Sequence, residues 1–446
     1  MKPIKLFFVT AALLLSGLWW LAATPLPQRF SYFSFRAAFL QWSGILAIGA
    51  MSLALLLALR PKWLEPHLRG LDKMYRLHKW LGIAALALGV AHWWFAQGTR
   101  WMVGWGWLER PQRGPRPAPD LDTLQGWLGA QRKLAESVGE WAFYAAALLI
   151  VLALVKRFPY RLFAKTHTLL ALAFLALVWH ALVLVEFDYW RQPIGWLLAA
   201  LLAGGSFAAL WALLGRIGAA RRVQGHIEWL QYYPELDVLE SRIALQPGWP
   251  GHAPGQFAFA TSSRREGAHP YTIASAWDAA DPRITFITKA LGDHTSTLPD
   301  RLTVGQDVTV EGPYGFFTFG DDRPRQIWIG AGIGITPFIA RMKQIAQDRP
   351  SPEQEIHLFH PTADFSAEAI AKLTADAVRA GVHLHVLHDQ RDGRLNGERI
   401  RAEVPGWREA SIWFCGPAGF GHALRHDFAT HQLAPSRFHQ ELFALR

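Results

Sequence analysis

Four histidines lie in the apolar part of this chain, and they come in two pairs. His78 and His92 are 14 residues apart in one apolar run, and His167 and His180 are 13 apart in another. An ionisable side chain in hydrocarbon is expensive and is usually there for a function. Fourteen residues of helix rise about 21 Å and complete nearly four turns, so His78 and His92 share a face. Thirteen residues drift off that face, and His167 and His180 need a tightened turn or different rotamers to point the same way. If the two helices cross a membrane in the same direction, His78 matches His167 in depth and His92 matches His180. Such a pair of helices can clamp two haems, one above the other, each iron taking two axial imidazoles. A lone histidine between helices is more often a hydrogen-bonded polar group, and it is the match at two depths that favours ligation. A shared zinc ion is disfavoured, because the two imidazoles on one helix are too far apart.

The elements that must carry these side chains are legible in the composition. Residues 1–215 hold long apolar runs studded with Trp, whereas residues 216–446 read as an ordinary α/β protein. Six segments, near 5–23, 37–59, 77–96, 139–156, 163–186 and 194–215, are long enough to cross a bilayer as helices. Trp19, Trp20, Trp42, Trp80, Trp94, Trp101 and Trp190 fall near their ends, where an amphipathic ring prefers to sit. Lys2 and Lys5 before an apolar run ending in Ala22-Ala23 also fit a cleaved signal peptide. Either reading leaves the next helix entering from outside.

Orientation follows from the short loops. Arg60, Lys62, Arg69, Lys73 and Arg76 fill one connection, Lys156, Arg157, Arg161 and Lys165 another, and Arg216, Arg221 and Arg222 follow the last span. Basic loops stay on the cytosolic side. The 97–138 connection carries both signs of charge and the Pro-rich run Pro111–Pro119, and it is placed outside. The net charge of +10 is thus accounted for by membrane topology, and nucleic-acid binding is not expected. A single cysteine, Cys415, excludes a disulfide framework, an iron–sulfur cluster and thioether-linked haem.

Two His pairs at spacings 14 and 13 on the third and fifth of six spans resemble the ferric reductase and NADPH oxidase superfamily. The resemblance implies two haems b with bis-His ligation, an inner one at His78 and His167 and an outer one at His92 and His180. It covers essentially the whole chain. The expected architecture is a membrane all-α six-helix haem bundle over residues 1–222. A cytosolic antiparallel β-barrel for FAD follows over 223–322, and then an α/β parallel-sheet nicotinamide-binding domain over 323–446. The expected location is the bacterial inner (plasma) membrane, with multiple passes through its lipid.

In the soluble half, Val223–Tyr232, Val238–Leu245, Gln256–Ala260, Ile284–Thr288 and Val308–Glu311 read as short barrel strands. Among them, His269-Pro270-Tyr271-Thr272-Ile-Ala-Ser275 resembles the superfamily's flavin motif. Tyr271 offers an aromatic face to the flavin and Thr272 a hydroxyl near its reactive edge. Main-chain groups and Ser275 can reach ribityl and phosphate oxygens. Lys289-Ala-Leu-Gly-Asp-His-Thr295 resembles the second flavin segment, where Lys289 and Thr295 would meet the pyrophosphate. Pro254–Phe257 and Glu311–Gly315 add further barrel signatures.

Gly330-Ala-Gly332-Ile-Gly334-Ile-Thr336-Pro337 follows a short apolar strand and opens a helix, so its backbone can approach a pyrophosphate. It is not GxGxxG but resembles the loop of ferredoxin–NADP reductases. Cys415-Gly416-Pro417 resembles that family's strand end, where the thiol lies beside the nicotinamide; alone, Cys415 reads equally as a small buried residue. Phe443 resembles a C-terminal aromatic that stacks on the flavin, although three residues follow it here, and Glu441 lines the same pocket. His360–Asp364, Arg391 and Arg394 leave the choice between NADH and NADPH open.

Hydride carries two electrons and a haem accepts one, so a flavin has to stand between them. The expected order is NAD(P)H, FAD, inner haem, outer haem, then an extracytoplasmic acceptor, either oxygen giving superoxide or a ferric chelate. Ala96 stands where animal oxidases carry an extra His, which weakens an oxygen-specific reading. Two alternatives remain at this stage. One is a haem membrane subunit that serves an extracytoplasmic protein partner; the other is a membrane-anchored flavodehydrogenase whose helices are only structural.

Overall fold

The computed structural model describes residues 2–24, 31–109, 120–155, 157–263, 265–321, 323–348 and 354–441. The chain divides into two compact units that meet near residue 217.

The first unit holds six helices long and apolar enough to cross a membrane. They are α1 (Lys2–Ala23), α2 (Tyr32–Ala58), α3 (Leu71–Trp93), α4 (Arg132–Leu154), α5 (Tyr160–Leu184) and α6 (Pro193–Leu213). Ser31 starts α2 by accepting from the Ser34 amide in a capping box, and Pro193 starts α6 at a position where its missing amide costs nothing. Helix α2 packs on α3 and α6, and α4 packs on α5. Phe174, Ile45, Ile194 and Leu198 are buried between helices, while Leu6, Leu13, Leu148 and Leu172 point outward, as lipid-facing residues must.

Three spans are longer than their apolar windows, and α2 begins at Tyr32 rather than near 37. Helix α3 begins at Leu71 rather than near 77, because Asp72, Lys73 and Arg76 form polar first turns that an apolar window omits. It runs on through a π-helical turn, Trp94–Gly98, into a further helix, Thr99–Gly104. Helix α4 starts at Arg132 rather than near 139 for the same reason. The Pro-rich run Pro111–Pro119 and Lys156 lie outside the described residues.

The second unit contains two sheets. The first is antiparallel: β1 (Arg222–Tyr233), β2 (Val238–Leu245), β3 (Phe257–Thr261), β4 (His269–Thr272), β5 (Arg283–Lys289) and β6 (Asp307–Tyr314), in the order β4-β3-β6-β1-β2-β5. Ile273, just past β4, makes a single bridge to Phe286 of β5, so the sheet curls toward a barrel without its edge strands pairing along their length. Val223, Ile227, Ile243, Ala258, Ile273, Ile284, Phe286 and Val310 fill its interior. All five expected strands are present. The sixth, β4, is the flavin-motif segment itself.

The second sheet is parallel: β7 (Arg325–Gly330), β8 (Glu355–Thr362), β9 (His383–His388), β10 (Ser411–Cys415) and β11 (Phe438–Gln440), in the order β11-β10-β7-β8-β9. Helices α7 (Thr336–Asp348), α8 (Ala367–Ala380), α9 (Gly397–Glu403) and α10 (Ala418–Thr430) connect its strands. The strand order reverses between β7 and β10. In such sheets a ligand binds outside the carboxyl ends of the strands at that reversal.

Candidate functional site

In the membrane unit, the four histidines meet across α3 and α5 in the expected partnership. The His78 and His167 ring centres are 5.8 Å apart with planes at 60°, and those of His92 and His180 are 6.3 Å apart at 76°. Metal–imidazole bonds of about 2.0 Å, plus about 1.1 Å from nitrogen to ring centre, would separate two axial ligands by roughly 6 Å. Both pairs fit an iron between them. Helix α5 is unbroken from Tyr160 to Leu184, so rotamers and not a tightened turn accommodate the spacing of 13.

Hydrogen bonds fix which nitrogen faces the partner. His78 Nδ1 lies 2.8 Å from the Ala54 carbonyl and His180 Nδ1 lies 2.8 Å from the Ala135 carbonyl. A carbonyl only accepts, so both Nδ1 atoms carry the proton and both Nε2 lone pairs are left for a metal. The Ser43 hydroxyl donates to the Phe39 carbonyl at 2.6 Å, and its oxygen therefore accepts from His92 Nδ1 at 3.2 Å. His167 stands apart: its ring stacks on Phe163, and its Nδ1 is buried without a hydrogen-bond partner. Backing an imidazole through its second nitrogen is what haem and metal sites use to set orientation and basicity.

Sequence reading missed these supports. Ser43 is a buried hydroxyl in an apolar helix, which is a detectable signal, but Ala54 and Ala135 act through backbone and leave none. Gly139 was missed as well, although His180 occupies the space where its side chain would be. Arg36 donates to the carbonyls of Phe95 and Ala96 and to Thr99 Oγ1, all on the turn that follows His92.

In the antiparallel sheet, β4 places His269, Pro270, Tyr271 and Thr272 half-buried along one edge. The His269 ring stacks on His294 at 3.7 Å and 7°, and Tyr271 hydrogen-bonds with His294 Nε2 at 3.0 Å. Burial, with His294 alongside, pushes His269 down to about 4. Ligand atoms of Glu266, His269 and His294 lie within 4.8 Å of one another. Parallel stacked rings send their in-plane lone pairs the same way, however, and converge poorly on one ion. The hydroxyl of Ser275 accepts from the Thr285 amide, and that of Thr295 accepts from the amides of Leu291 and Gly292. Both side chains therefore shape their own loops. Lys289 is ion-paired with Asp364, just past β8. Glu311, buried, accepts from Arg222 and from the Tyr314 hydroxyl, so that signature is structural.

In the parallel sheet, Gly330 and Cys415 are in register at the carboxyl ends of β7 and β10, on the two sides of the reversal. Gly330, Gly332 and Gly334 thus run beside Cys415, Gly416 and Pro417. A Cβ on Gly334 would fall 2.3 Å from the Cys415 carbonyl, so only glycine permits this approach. Thr336 and Pro337 open α7, whose amino end faces the loop, a ready anion site. His360 bonds the Gly330 carbonyl at 2.8 Å and props the loop from below. Burial raises the Cys415 thiol well above its usual range, with the Glu441 carboxylate adding to it. Phe443 lies outside the described residues.

Residues 43–178 match the family model described as ferric reductase like transmembrane component. The chain is 29% identical over 247 residues to an NADPH oxidoreductase of Mycobacterium tuberculosis, covering 52% of this chain and 63% of that protein. It is 26% identical to a flavohemoprotein of Deinococcus radiodurans, covering 46% and 57%. The chain therefore spans under two thirds of the length of these relatives. Among solved structures, the FAD/NAD-binding domain of a Vibrio cholerae nitric oxide dioxygenase aligns at TM-score 0.43 and 17% identity, covering 50% of this chain and 98% of that one. The chain is thus similar over residues 43–178 to a ferric reductase-like membrane component and elsewhere to an NADPH oxidoreductase and to flavohemoproteins, a combination consistent with a ferric reductase and NADPH oxidase-like superfamily.

Proposed function

We propose that this protein moves electrons across a membrane, from NAD(P)H through FAD and two b-type haems to an acceptor on the far side. The observation that carries the reading is the pair of imidazole pairs, at ring separations that fit an iron and with three of four Nε2 lone pairs left open by their Nδ1 bonds. His78 with His167, and His92 with His180, would hold the haems, which supply one-electron transfer without an open coordination site. That ligation favours outer-sphere transfer to oxygen or a ferric chelate.

The protein's own groups position and insulate; none needs to act as a nucleophile or base. The glycine loop and the amino end of α7 would take the nicotinamide pyrophosphate. Cys415 and Glu441 would bound the nicotinamide, and Tyr271 and Thr272 the flavin. The basic loops place the reductase half on the cytosolic side, where reduced nicotinamide is available. Outward electron movement is favoured by an inside-negative potential, by about 2.3 kcal/mol per 100 mV, and it lowers that potential as it proceeds.

Sealed vesicles test the reading. Nicotinamide on the reductase side should reduce chelated iron, or yield superoxide, on the other side. Replacing His92 with Ala should leave flavin reduction intact and stop the transmembrane step. Chelate reduction at the full rate in that variant would rule out the two-haem route.

A further inference from the structure

The outer imidazole pair has a polar neighbour on the lipid side. Trp93 directly follows His92 on α3, and Glu140 directly follows Gly139, the glycine against which His180 rests, on α4. Trp93 Nε1 donates to the Tyr144 hydroxyl at 3.1 Å, and that hydroxyl donates to Glu140 Oε1 at 2.7 Å. Glu140 and Tyr144 are four residues apart and share a face of α4. It is the outward face: Trp141, at 72% exposure, and Leu148 flank them and point away from the bundle. An indole, a phenol and a carboxylate thus form one hydrogen-bonded chain across two helices, open to lipid beside His92 and His180.

An ionisable group that faces hydrocarbon is costly, and function is the usual reason for its presence. Arg132 and Arg100 pair with Glu136, one turn nearer the outer end of α4, and among the described residues no cation pairs with Glu140. The chemistry of the chain limits what would come to it. A ligand that reaches this face travels in the bilayer, so it is lipid-soluble. Beside a one-electron donor it is an electron acceptor. A carboxyl and a phenol serve only an acceptor that takes up protons as it is reduced, which a ferric chelate, or oxygen going to superoxide, does not need. Trp93, Trp141 and Phe143 surround the Tyr144 ring at 5.8–6.2 Å and offer flat faces to a flat molecule. A quinone meets every condition.

We infer that this face of α3 and α4 docks a lipid-soluble quinone, and that the quinone accepts the outward electrons. The inference rests on the electron route proposed above and names its end. Reduction to the quinol takes two electrons, delivered singly past the His92–His180 pair, and two protons, so that each carbonyl becomes a hydroxyl. Glu140, protonated from the outer water, acts with Tyr144 as the acid for the carbonyl oxygen nearest them. The other oxygen takes its proton from water at the membrane surface. Trp93 holds the phenol in place through its N–H bond.

Binding is tested first. The full chain in lipid nanodiscs, oxidised and without nicotinamide, is irradiated with an azidoquinone, and labelled peptides are mapped by mass spectrometry. Label should fall on Trp93 or on residues 140–148 and be displaced by decylubiquinone. Glu140→Gln and Tyr144→Phe should each weaken decylubiquinone affinity about tenfold, the loss expected of one hydrogen bond, with the haem spectrum unchanged to exclude misfolding. Label spread over every lipid-facing helix, or label that decylubiquinone does not displace, would overturn the inference whatever the electron route. In a second arm, NADH or NADPH reduces the haems of the same preparation before quinone is added. Decylubiquinone should then reoxidise them, and more slowly in Glu140→Gln. Haems that stay reduced would overturn the quinone as acceptor, whereas haems that nicotinamide never reduces would sink the electron route and leave the labelling to decide the site.

Discussion

The His180 imidazole fills the volume that a side chain on Gly139 would need: a Cβ there would fall 1.9 Å from Nδ1. No rotamer change at Gly139 can relieve that contact, since Cβ is fixed by the backbone. Gly139→Ala should push His180 off its bond to Ala135 and dismantle the outer pair, while His78 and His167 stay in place. Reduced-minus-oxidised spectra should lose one of two b-type components. Retention of both would mean that His180 does not serve as a ligand in this position.

Ser43 acts on the outer pair more gently. Its oxygen accepts from His92 Nδ1, and it is fully buried. Ser43→Ala removes the acceptor with little change in volume. An imidazole deprived of that bond is a weaker donor, and weaker donation favours the reduced metal. The midpoint potential of one haem should rise with haem content unchanged. Equal shifts in both haems, or none, would contradict this placement.

The soluble half should lose stability as pH falls from about 6.5 toward 4. His252 donates through Nε2 to the Ser275 carbonyl, and burial pushes it down to about 4. The unfolded chain, with its ordinary histidines, binds protons first, so the native state is disfavoured below 6.5 at roughly 1.4 kcal/mol per pH unit for a fully shielded group. His269 moves in the same direction but is half solvated and contributes less. Urea midpoints followed by flavin release should decline over this interval, and His252→Gln should flatten the slope. An unchanged slope in the variant would place the effect elsewhere.

Cys415 should be inert to iodoacetamide at pH 8 in the folded protein and should react on unfolding. Its thiol is buried, and desolvation together with Glu441 keeps it protonated. Alkylation at the rate of a free thiol would show that the strand end opens readily.

Much of this was legible in the sequence because the signals are periodic. Six apolar runs, four histidines at matched depths and a glycine loop between strand and helix each follow from hydrocarbon length or strand and helix periods. Span ends were misplaced at Tyr32, where a capping box starts the helix early, and at Leu71 and Arg132, where polar turns extend helices beyond the apolar slab. The roles of individual hydroxyls were harder to read. A hydroxyl such as that of Thr295 is equally able to reach a phosphate or to close its own turn, and here it closes the turn. Only the folded backbone decides between such roles.

His78 and His180 are steered by the carbonyls of Ala54 and Ala135, groups that every amino acid possesses. Changing the letters at 54 and 135 therefore leaves the proton on the same nitrogen, provided the helices keep their spacing. Related chains could differ at every position around these rings and still present the same lone pairs. The wiring is inherited through helix placement, where comparison of residue identities cannot see it.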